Sequence, residues 1–291
     1  MDQPVRIRRA LISVSDKDQL VPLAQALCAA GAHIISTGGT AAALAKAGIP
    51  VTPIEEVTGF PEMLDGRVKT LHPRVHGGLL AVRSNPEHRA AMTEHGIEPI
   101  DLVCVNLYPF ERTVSRQGVA EHEAIEQIDI GGPSMLRSAA KNFESVTVVT
   151  DPSQYAQVIQ ELQQNGGATT LALRRRLAAQ VFARTAAYDG AIAAWMKRNP
   201  GDAESSSTLP HRLDLSLPLQ QELRYGENPH QLGALYRDPH FAGQSVAAAD
   251  LLHGKPLSYN NLLDAAAALE LVQDLHTQGS MAACAVIKHT N

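Results

Sequence analysis

The sequence predicts an α/β fold, a parallel sheet with helices on both faces. Short apolar runs alternate with helix-length segments along the first 150 residues. Small residues and Gly punctuate the junctions between them. The composition is that of a globular chain, with 44% hydrophobic and 19% charged residues. Residues 9–14 (RALISV) read as a buried strand and 18–30 as a helix stopped by Gly31. Residues 33–36 (HIIS) read as the next strand, followed by Gly-Gly-Thr and an Ala-rich helix ending near Gly48. Residues 51–54 (VTPI) give a weaker strand, while 101–108 (DLVCVNLY) and 145–149 (SVTVV) give strong ones. Helices are expected at 86–95, 119–127, 133–141 and 152–164. An Ala-rich helix is expected over 169–196, broken near Asp189-Gly190.

Length and composition restrict the function classes. At roughly 100–200 residues per domain, 291 residues allow one large domain or two ordinary ones. The net charge of −5 argues against a broad nucleic-acid surface, and 4% aromatics argue against base-stacking platforms. No apolar run reaches bilayer-spanning length, and the N-terminus lacks a signal-peptide pattern. The three cysteines, Cys28, Cys104 and Cys284, have no metal or redox spacing and read as thiols in a reducing cytoplasm. The stretch 199–218 is rich in Pro, Ser and Asp and reads as a linker. After it the chain stops at AACAVIKHTN, an apolar strand-like run that reads as an interrupted element.

Two strand–loop–helix junctions, Ser13-Val14-Ser15-Asp16-Lys17 and Ser36-Thr37-Gly38-Gly39-Thr40, stand where a parallel sheet binds ligands. Free amides at a helix N-terminus, hydroxyl donors, Gly and the Lys17 charge together suit a phosphate monoester. Either loop alone equally suits a plain helix cap and a tight turn; the pair, one of them bearing a lysine, favours phosphate. Neither a Walker loop nor a G-x-G-x-x-G occurs, so ATP and dinucleotides lose support. Residues 58–80 read as a long loop carrying Arg67, Lys69, Thr70, His72, Arg74 and His76. His72 and His76 stand four apart, but Pro73 opposes a helix through both and no acidic third ligand is near. They read as solvated or hydrogen-bonding side chains, and no metal is expected. Tyr108 should close the strongest strand at the sheet's carboxyl edge, Asp129 precedes a helix and alone suits a cap, and Arg137 and Lys141 share a helix face.

These segments together resemble one family. SVSDK, STGGT, TGFPEMLDGRVKTLHPRVHGG, CVNLYPF and IDIGGPSMLRSAAKN resemble the first domain of the bifunctional purine-biosynthesis enzymes that pair 5-aminoimidazole-4-carboxamide ribonucleotide (AICAR) formyltransferase with IMP cyclohydrolase. LRYGENPHQ at 223–231, GKPLSYNNLLDA at 254–265 and AVIKHTN at 285–291 resemble the start of the formyltransferase domain. The resemblance implies a methylglyoxal-synthase-like cyclohydrolase domain over 1–198, a linker at 199–218, and at 219–291 an incomplete, cytidine-deaminase-like formyltransferase segment. It implies closure of 5-formamidoimidazole-4-carboxamide ribonucleotide to IMP with loss of water, in the cytoplasm, by a homodimer that binds neither nucleic acid nor membrane.

By motif, the resemblance makes Ser13, Ser15, Lys17, Gly38, Gly39, Thr40, Arg67 and Thr70 substrate-binding candidates. It places cyclohydrolase catalysis on Lys69, Tyr108, Asp129 and Lys141. Ring closure needs no cofactor; the second activity takes 10-formyltetrahydrofolate as co-substrate. For that activity Arg224, Tyr225 and Asn261 match substrate positions and Lys288 and His289 match catalytic ones, but no formyl transfer is expected of these 291 residues. Methylglyoxal synthase shares the fold but not GRVKTLHP, and a regulatory binding module, as in carbamoyl phosphate synthetase, has no need of a proton-transfer set.

Overall fold

The structure, a computed structural model, describes residues 4–108, 110–116, 118–198, 215, 217–238, 241, 243–277 and 282–290. The chain divides into two compact units, Met1–Glu204 and Ser205–Asn291. The stretch expected to be a linker lies, apart from 215, 217 and 218, outside the described residues.

The first unit runs β1 (Val5–Arg6), β2 (Arg9–Ser13), α1 (Leu20–Ala29), β3 (His33–Ser36), α2 (Gly38–Lys46), β4 (Thr52–Pro53) and α3 (Ile54–Thr58). It continues through α4 (Pro73–Leu80), α5 (Pro86–Glu94), β5 (Leu102–Val105), α6 (Phe110–Val114), α7 (Glu121–Glu126) and α8 (Gly131–Lys141). It ends with β6 (Thr147–Val149), α9 (Tyr155–Gln164), β7 (Ala168–Thr169) and α10 (Leu171–Arg198). A five-stranded sheet in the order β4-β3-β2-β5-β6 forms the centre, and every pairing in it is parallel. Its strands are apolar on both sides, as a doubly covered parallel sheet requires: Leu11, Ile12, Ile35, Val103, Cys104 and Val148 are all fully buried. Helix α1 packs on α9, whereas α4, α8 and α10 pack together. Strand order advances one way from β2 to β4 and the other way from β5 to β6, so right-handed crossovers put these two helix groups on opposite faces. The order reverses between β2 and β5, the place where such sheets open a ligand crevice beyond their carboxyl ends.

Polar ties fix the opposite, amino ends of the central strands. Buried Asp101 accepts the amides of Arg8 and Arg9 at 2.7 and 2.9 Å and pairs with Arg83 at 2.5 Å. Fully buried Arg174, on α10, donates through Nε to Phe143 O at 2.9 Å and through Nη2 to Glu144 O at 3.2 Å. It thereby satisfies carbonyls in the turn after α8.

Four expectations need correction. Residues 73–80 form α4 and not loop, because Pro73 occupies the first helical position, where its missing N–H and fixed φ fit the helix. Residues 54–58, just after β4, form a short helix that the sequence pattern did not reveal. Helix α10 continues through Asp189-Gly190 for 28 residues. Buried Tyr188 and half-buried Trp195, packed on the core either side of Gly190, outweigh the roughly 1 kcal/mol that a helical glycine costs. The apolar run near the chain end has no regular strand among the described residues 282–290, since it has no strand partner there.

The second unit holds a hairpin of β8 (Leu219–Glu222) with β9 (Ala234–Tyr236), and helix α11 (Tyr259–Thr277). No helix among the described residues is long and apolar enough to cross a membrane.

Candidate active site

A cavity of about 770 Å³ opens beyond the carboxyl ends of β2, β3 and β5. One wall is the turn after β2, lined by Ser13, Ser15 and Lys17. Ser13 Oγ lies 2.7 Å from Thr37 Oγ1, and Ser15 Oγ donates to Leu107 O at 3.1 Å, so both hydroxyls are fixed at the mouth. Lys17 Nζ reaches back to Val14 O at 3.4 Å. The facing wall is the N-terminus of α2, where Gly38 and Gly39 present the first amides of the helix. Thr37 is the N-cap, with extended backbone and no side-chain cap, so the Gly38 and Gly39 amides are left open to an anion, while the Thr40 amide bonds Thr37 O at 3.0 Å. Thr40 lines the cavity, but its hydroxyl is engaged at 3.0 Å with both the N–H and the C=O of Val14. It joins the two loops and has no free donor for a ligand.

The third wall comes from the loop before α4. Lys69 Nζ is ion-paired with Glu62 on the same loop and lies 3.5 Å from Glu55 on α3. Its ammonium also stands over Gly38, 3.4 Å from where a Cβ would fall. Arg67 is paired with Glu126 of α7, tying the loop to the far rim. Thr70 is buried against Gly131, where a Cβ would sit 2.6 Å from its Oγ1.

The fourth wall is the end of β5 with the segment leading into α8. Tyr108 lines the cavity and is half exposed. Asp129 Oδ1 accepts the Gly132 amide at 2.8 Å, and the carboxylate is also bonded by the Tyr108 backbone. Burial nevertheless pushes its carboxyl above the usual carboxylate range, the two amide bonds only partly offsetting that. Its backbone N–H donates to the hydroxyl of Tyr188 at 2.8 Å. Lys69, Tyr108 and Asp129 therefore share one cavity with the two phosphate-type loops.

Lys141 does not join them. It is exposed at the last turn of α8, about 15 Å along the helix from Gly131 at 1.5 Å per residue. His72 caps α4 by accepting the Arg74 amide at 3.1 Å, and His76 bonds Ser138 at 3.1 Å, so the two point to different partners. Burial lowers the pKa of His76. In the second unit, Arg224 stacks on Tyr225 at 5.4 Å and Asn261 Oδ1 accepts from Ser258 within its own helix start. Lys288 and His289 are exposed coil residues. Sequence reasoning missed Thr37, Glu62, Glu126 and Tyr188. Thr37 stood inside a motif already singled out, while the other three carry no local signal, because what identifies them is a partner brought near by the fold.

Comparison with known proteins agrees with this architecture. The family profile described as "MGS-like domain" matches residues 19–134, and that described as "AICARFT/IMPCHase bienzyme" matches residues 139–291. The "Bifunctional purine biosynthesis protein PurH" of Listeria monocytogenes is 55% identical over 285 residues, covering 98% of this chain and 54% of that protein. The protein of the same name from Rhodospirillum rubrum is 55% identical, covering 98% and 52%. That from Magnetococcus marinus is 53% identical over 287 residues, covering 98% and 53%. The chain thus spans about half the length of these relatives. The solved structure described as "Crystal structure of ForH" superposes with a TM-score of 0.58 at 40% identity, covering 64% of this chain and 97% of that one. A bienzyme profile over more than half of the residues and relatives 55% identical across nearly all of them show that this chain belongs to the AICARFT/IMPCHase bienzyme family, the AICAR formyltransferase/IMP cyclohydrolases.

Proposed function

We propose that the first unit is an IMP cyclohydrolase that closes 5-formamidoimidazole-4-carboxamide ribonucleotide to IMP with loss of water. One observation carries this: a single cavity joins two phosphate-type loops to Lys69, Tyr108 and Asp129. The ribonucleotide's phosphate would rest on the Ser13–Lys17 turn and the first amides of α2. Its base would then extend toward the Lys69 and Asp129 walls.

The chemistry suits those side chains. A carboxamide nitrogen is a poor nucleophile because its lone pair is delocalised, and the formamide carbonyl is a modest electrophile. Holding the two groups in contact can supply about 7–11 kcal/mol. As nitrogen attacks the formyl carbon, charge develops on the formyl oxygen. The Lys69 ammonium would stabilise it, a contribution of about 3–4 kcal/mol for a well-placed donor. The carboxamide nitrogen and the formamide N–H must each give up one proton, and the formyl oxygen takes both as its bond to carbon breaks and it leaves as water. Asp129, whose carboxyl burial brings nearer to neutrality, and the Tyr108 hydroxyl are suited to pass those protons. Lys141, outside the cavity, carries no step in this scheme.

The formyltransferase side of the family implies a folate co-substrate, which we take to be 10-formyltetrahydrofolate used by the full-length bienzyme. The proposal extends to a cytoplasmic homodimer acting on a purine ribonucleotide. Unpaired Cys28, Cys104 and Cys284 suit a reducing compartment, and sedimentation of the chain tests the dimer. The deciding assay follows IMP formation from the formylated ribonucleotide by ultraviolet absorbance, without folate. Turnover that collapses in Lys69→Ala is the expected result. Full turnover in Lys69→Ala would refute the assignment, and binding of the ribonucleotide without turnover would favour a ligand-sensing module.

A further inference from the structure

We propose that Tyr188, on α10, is a positioning residue that sets the place and proton affinity of Asp129. The proposal rests on the cyclohydrolase reading only in giving Asp129 a role in the reaction.

Asp129 lies in an irregular strap, residues 127–130, between α7 and α8. Such a strap has no ladder of its own, so its backbone groups need outside partners. The Tyr188 hydroxyl supplies two of them. It accepts the Asp129 N–H at 2.8 Å and donates to Gln127 O at 3.0 Å. One hydroxyl thus uses its donor and an acceptor site on two backbone groups two residues apart.

The hydroxyl itself has little freedom. Tyr188 is fully buried, and its ring meets Phe110 of α6 edge-on, with centroids 6.2 Å apart. Phe110 in turn meets Trp195 edge-on at 5.7 Å. The Arg184 guanidinium stands 5.7 Å from the centroid of the Tyr188 ring and is ion-paired with Glu111 at 2.8 Å. Arg184 on α10 and Glu111 on α6 are the charged groups beside Tyr188, apart from Asp129 itself.

The Asp129 carboxylate is held from two other sides. It accepts the Gly132 amide in the first turn of α8 and the Tyr108 amide in the segment after β5. Gly132 is bare at that point, since a Cβ there would fall 2.2 Å from Oδ2. Backbone from α10, carboxylate from the segment after β5 and from α8: the three holds fix the half-buried Asp129 facing the cavity. Without the Tyr188 hydroxyl the strap can lift, and the carboxyl gains solvent and geometric freedom.

The test is Tyr188→Phe in the 291-residue chain, with Arg184→Gln as the companion variant that leaves the hydroxyl in place. The first readout is the titration of the Asp129 carboxyl carbon by 13C NMR, together with exchange of the Asp129 amide proton. In Tyr188→Phe we expect the midpoint to fall toward the ordinary carboxylate range and the amide to exchange at least tenfold faster. The second readout is cyclohydrolase kinetics, where we expect kcat to drop about tenfold, KM to stay within twofold and the acid limb of the pH profile to shift downward. Arg184→Gln should keep the wild-type titration and kcat. An unchanged Asp129 titration in Tyr188→Phe overturns the proposal, whatever the melting temperature does. An equal shift in Arg184→Gln also overturns it, because the effect would then belong to a generally loosened α10. Absence of turnover in the wild type would refute the cyclohydrolase reading alone, and the NMR readout would still decide the role of Tyr188.

Discussion

Thr40 Oγ1 accepts the Val14 amide and donates to the Val14 carbonyl, each at 3.0 Å, so one buried hydroxyl clasps both phosphate-type loops. Thr40→Val removes both bonds, leaving the Val14 amide without a partner and its carbonyl with only the Lys17 Nζ contact at 3.4 Å. At about 1–3 kcal/mol per unsatisfied buried group, the fold should lose stability on that scale, and KM for the ribonucleotide should rise as the loops separate. Thr40→Ser keeps the hydroxyl and should stay near wild type. Thermal unfolding and KM measured on both variants test this; a Thr40→Val protein with the wild-type melting temperature would refute the clasp.

Asp129 makes a pH prediction whose sign follows from burial. Its folded pKa stands above the ordinary value because burial disfavours the carboxylate. The folded state then binds the proton more tightly than the unfolded chain. The associated stability is fully present below the ordinary carboxylate pKa and is lost as pH rises through the raised value. Asp129→Asn carries no such ionisation, so its stability relative to wild type should improve from acid to neutral pH. Its turnover should nevertheless fall about 100-fold or more, the scale of a lost proton-transfer group. Denaturant unfolding at several pH values, beside the rate assay, checks both halves.

The sheet was legible because its strands announce themselves locally: the Ala10–Ile12 and Ile34–Ile35 cores of β2 and β3, and LVCV of β5, are short apolar runs buried on both faces. The two phosphate-type loops were legible for the same reason, each being a contiguous motif at a strand end. The misread elements turned on context, tertiary in α10 and local at the start of α4. Gly190 read as a helix break, yet Tyr188 and Trp195 anchor α10 on both sides of it. Pro73 read as a loop residue, yet it begins α4. Glu62, Glu126 and Tyr188 were invisible because each matters only through its partner, and Tyr188 meets its partner across 59 residues of sequence. Lys141 shows the converse: its motif was legible, but the eleven-residue span of α8 places it away from the cavity.

Thiol reactivity should separate the three cysteines. Cys104 is fully buried in β5, where burial pushes its thiol up to about 12, with a contact to the Tyr155 hydroxyl at 3.4 Å. Cys28 is half-buried, with a raised thiol pKa, whereas Cys284 is exposed. Alkylation of the native protein at pH 8 should mark Cys284 first and Cys28 slowly, and should reach Cys104 only on unfolding. Peptide mapping after timed iodoacetamide treatment reads the order; early labelling of Cys104 would contradict its burial in the sheet.

Arg174 is a fully buried cation whose work is structural. Its bonds to the carbonyls of Phe143 and Glu144 hold the turn between α8 and β6 against α10. Arg174→Met fills a similar volume but strands those carbonyls, at about 1–3 kcal/mol for each left unsatisfied. A loss of about 2–4 kcal/mol in urea unfolding is expected, with KM for the ribonucleotide little changed because the turn lies away from the cavity walls. A variant as stable as wild type would show that water replaces the guanidinium without cost.

Lys69 and Gly66 are linked through Glu62. Gly66 has φ +89, and a Cβ there would fall 2.7 Å from Glu62 Oε1, so the bare backbone gives the carboxylate its place beside Lys69. Gly66→Ala strains a left-handed backbone position and displaces the carboxylate together. Glu62→Gln removes the charge but keeps the shape, and so isolates the ion pair. Without Glu62, the Lys69 ammonium is held by Glu55 alone and can swing off the reacting oxygen. A misplacement on the order of 1 Å can cost up to about 100-fold in rate. We expect kcat to fall about tenfold in Glu62→Gln with KM within threefold, and further in Gly66→Ala. A Glu62→Gln enzyme with wild-type kcat would show that Lys69 needs no carboxylate to hold it, and that Gly66 serves the loop turn alone.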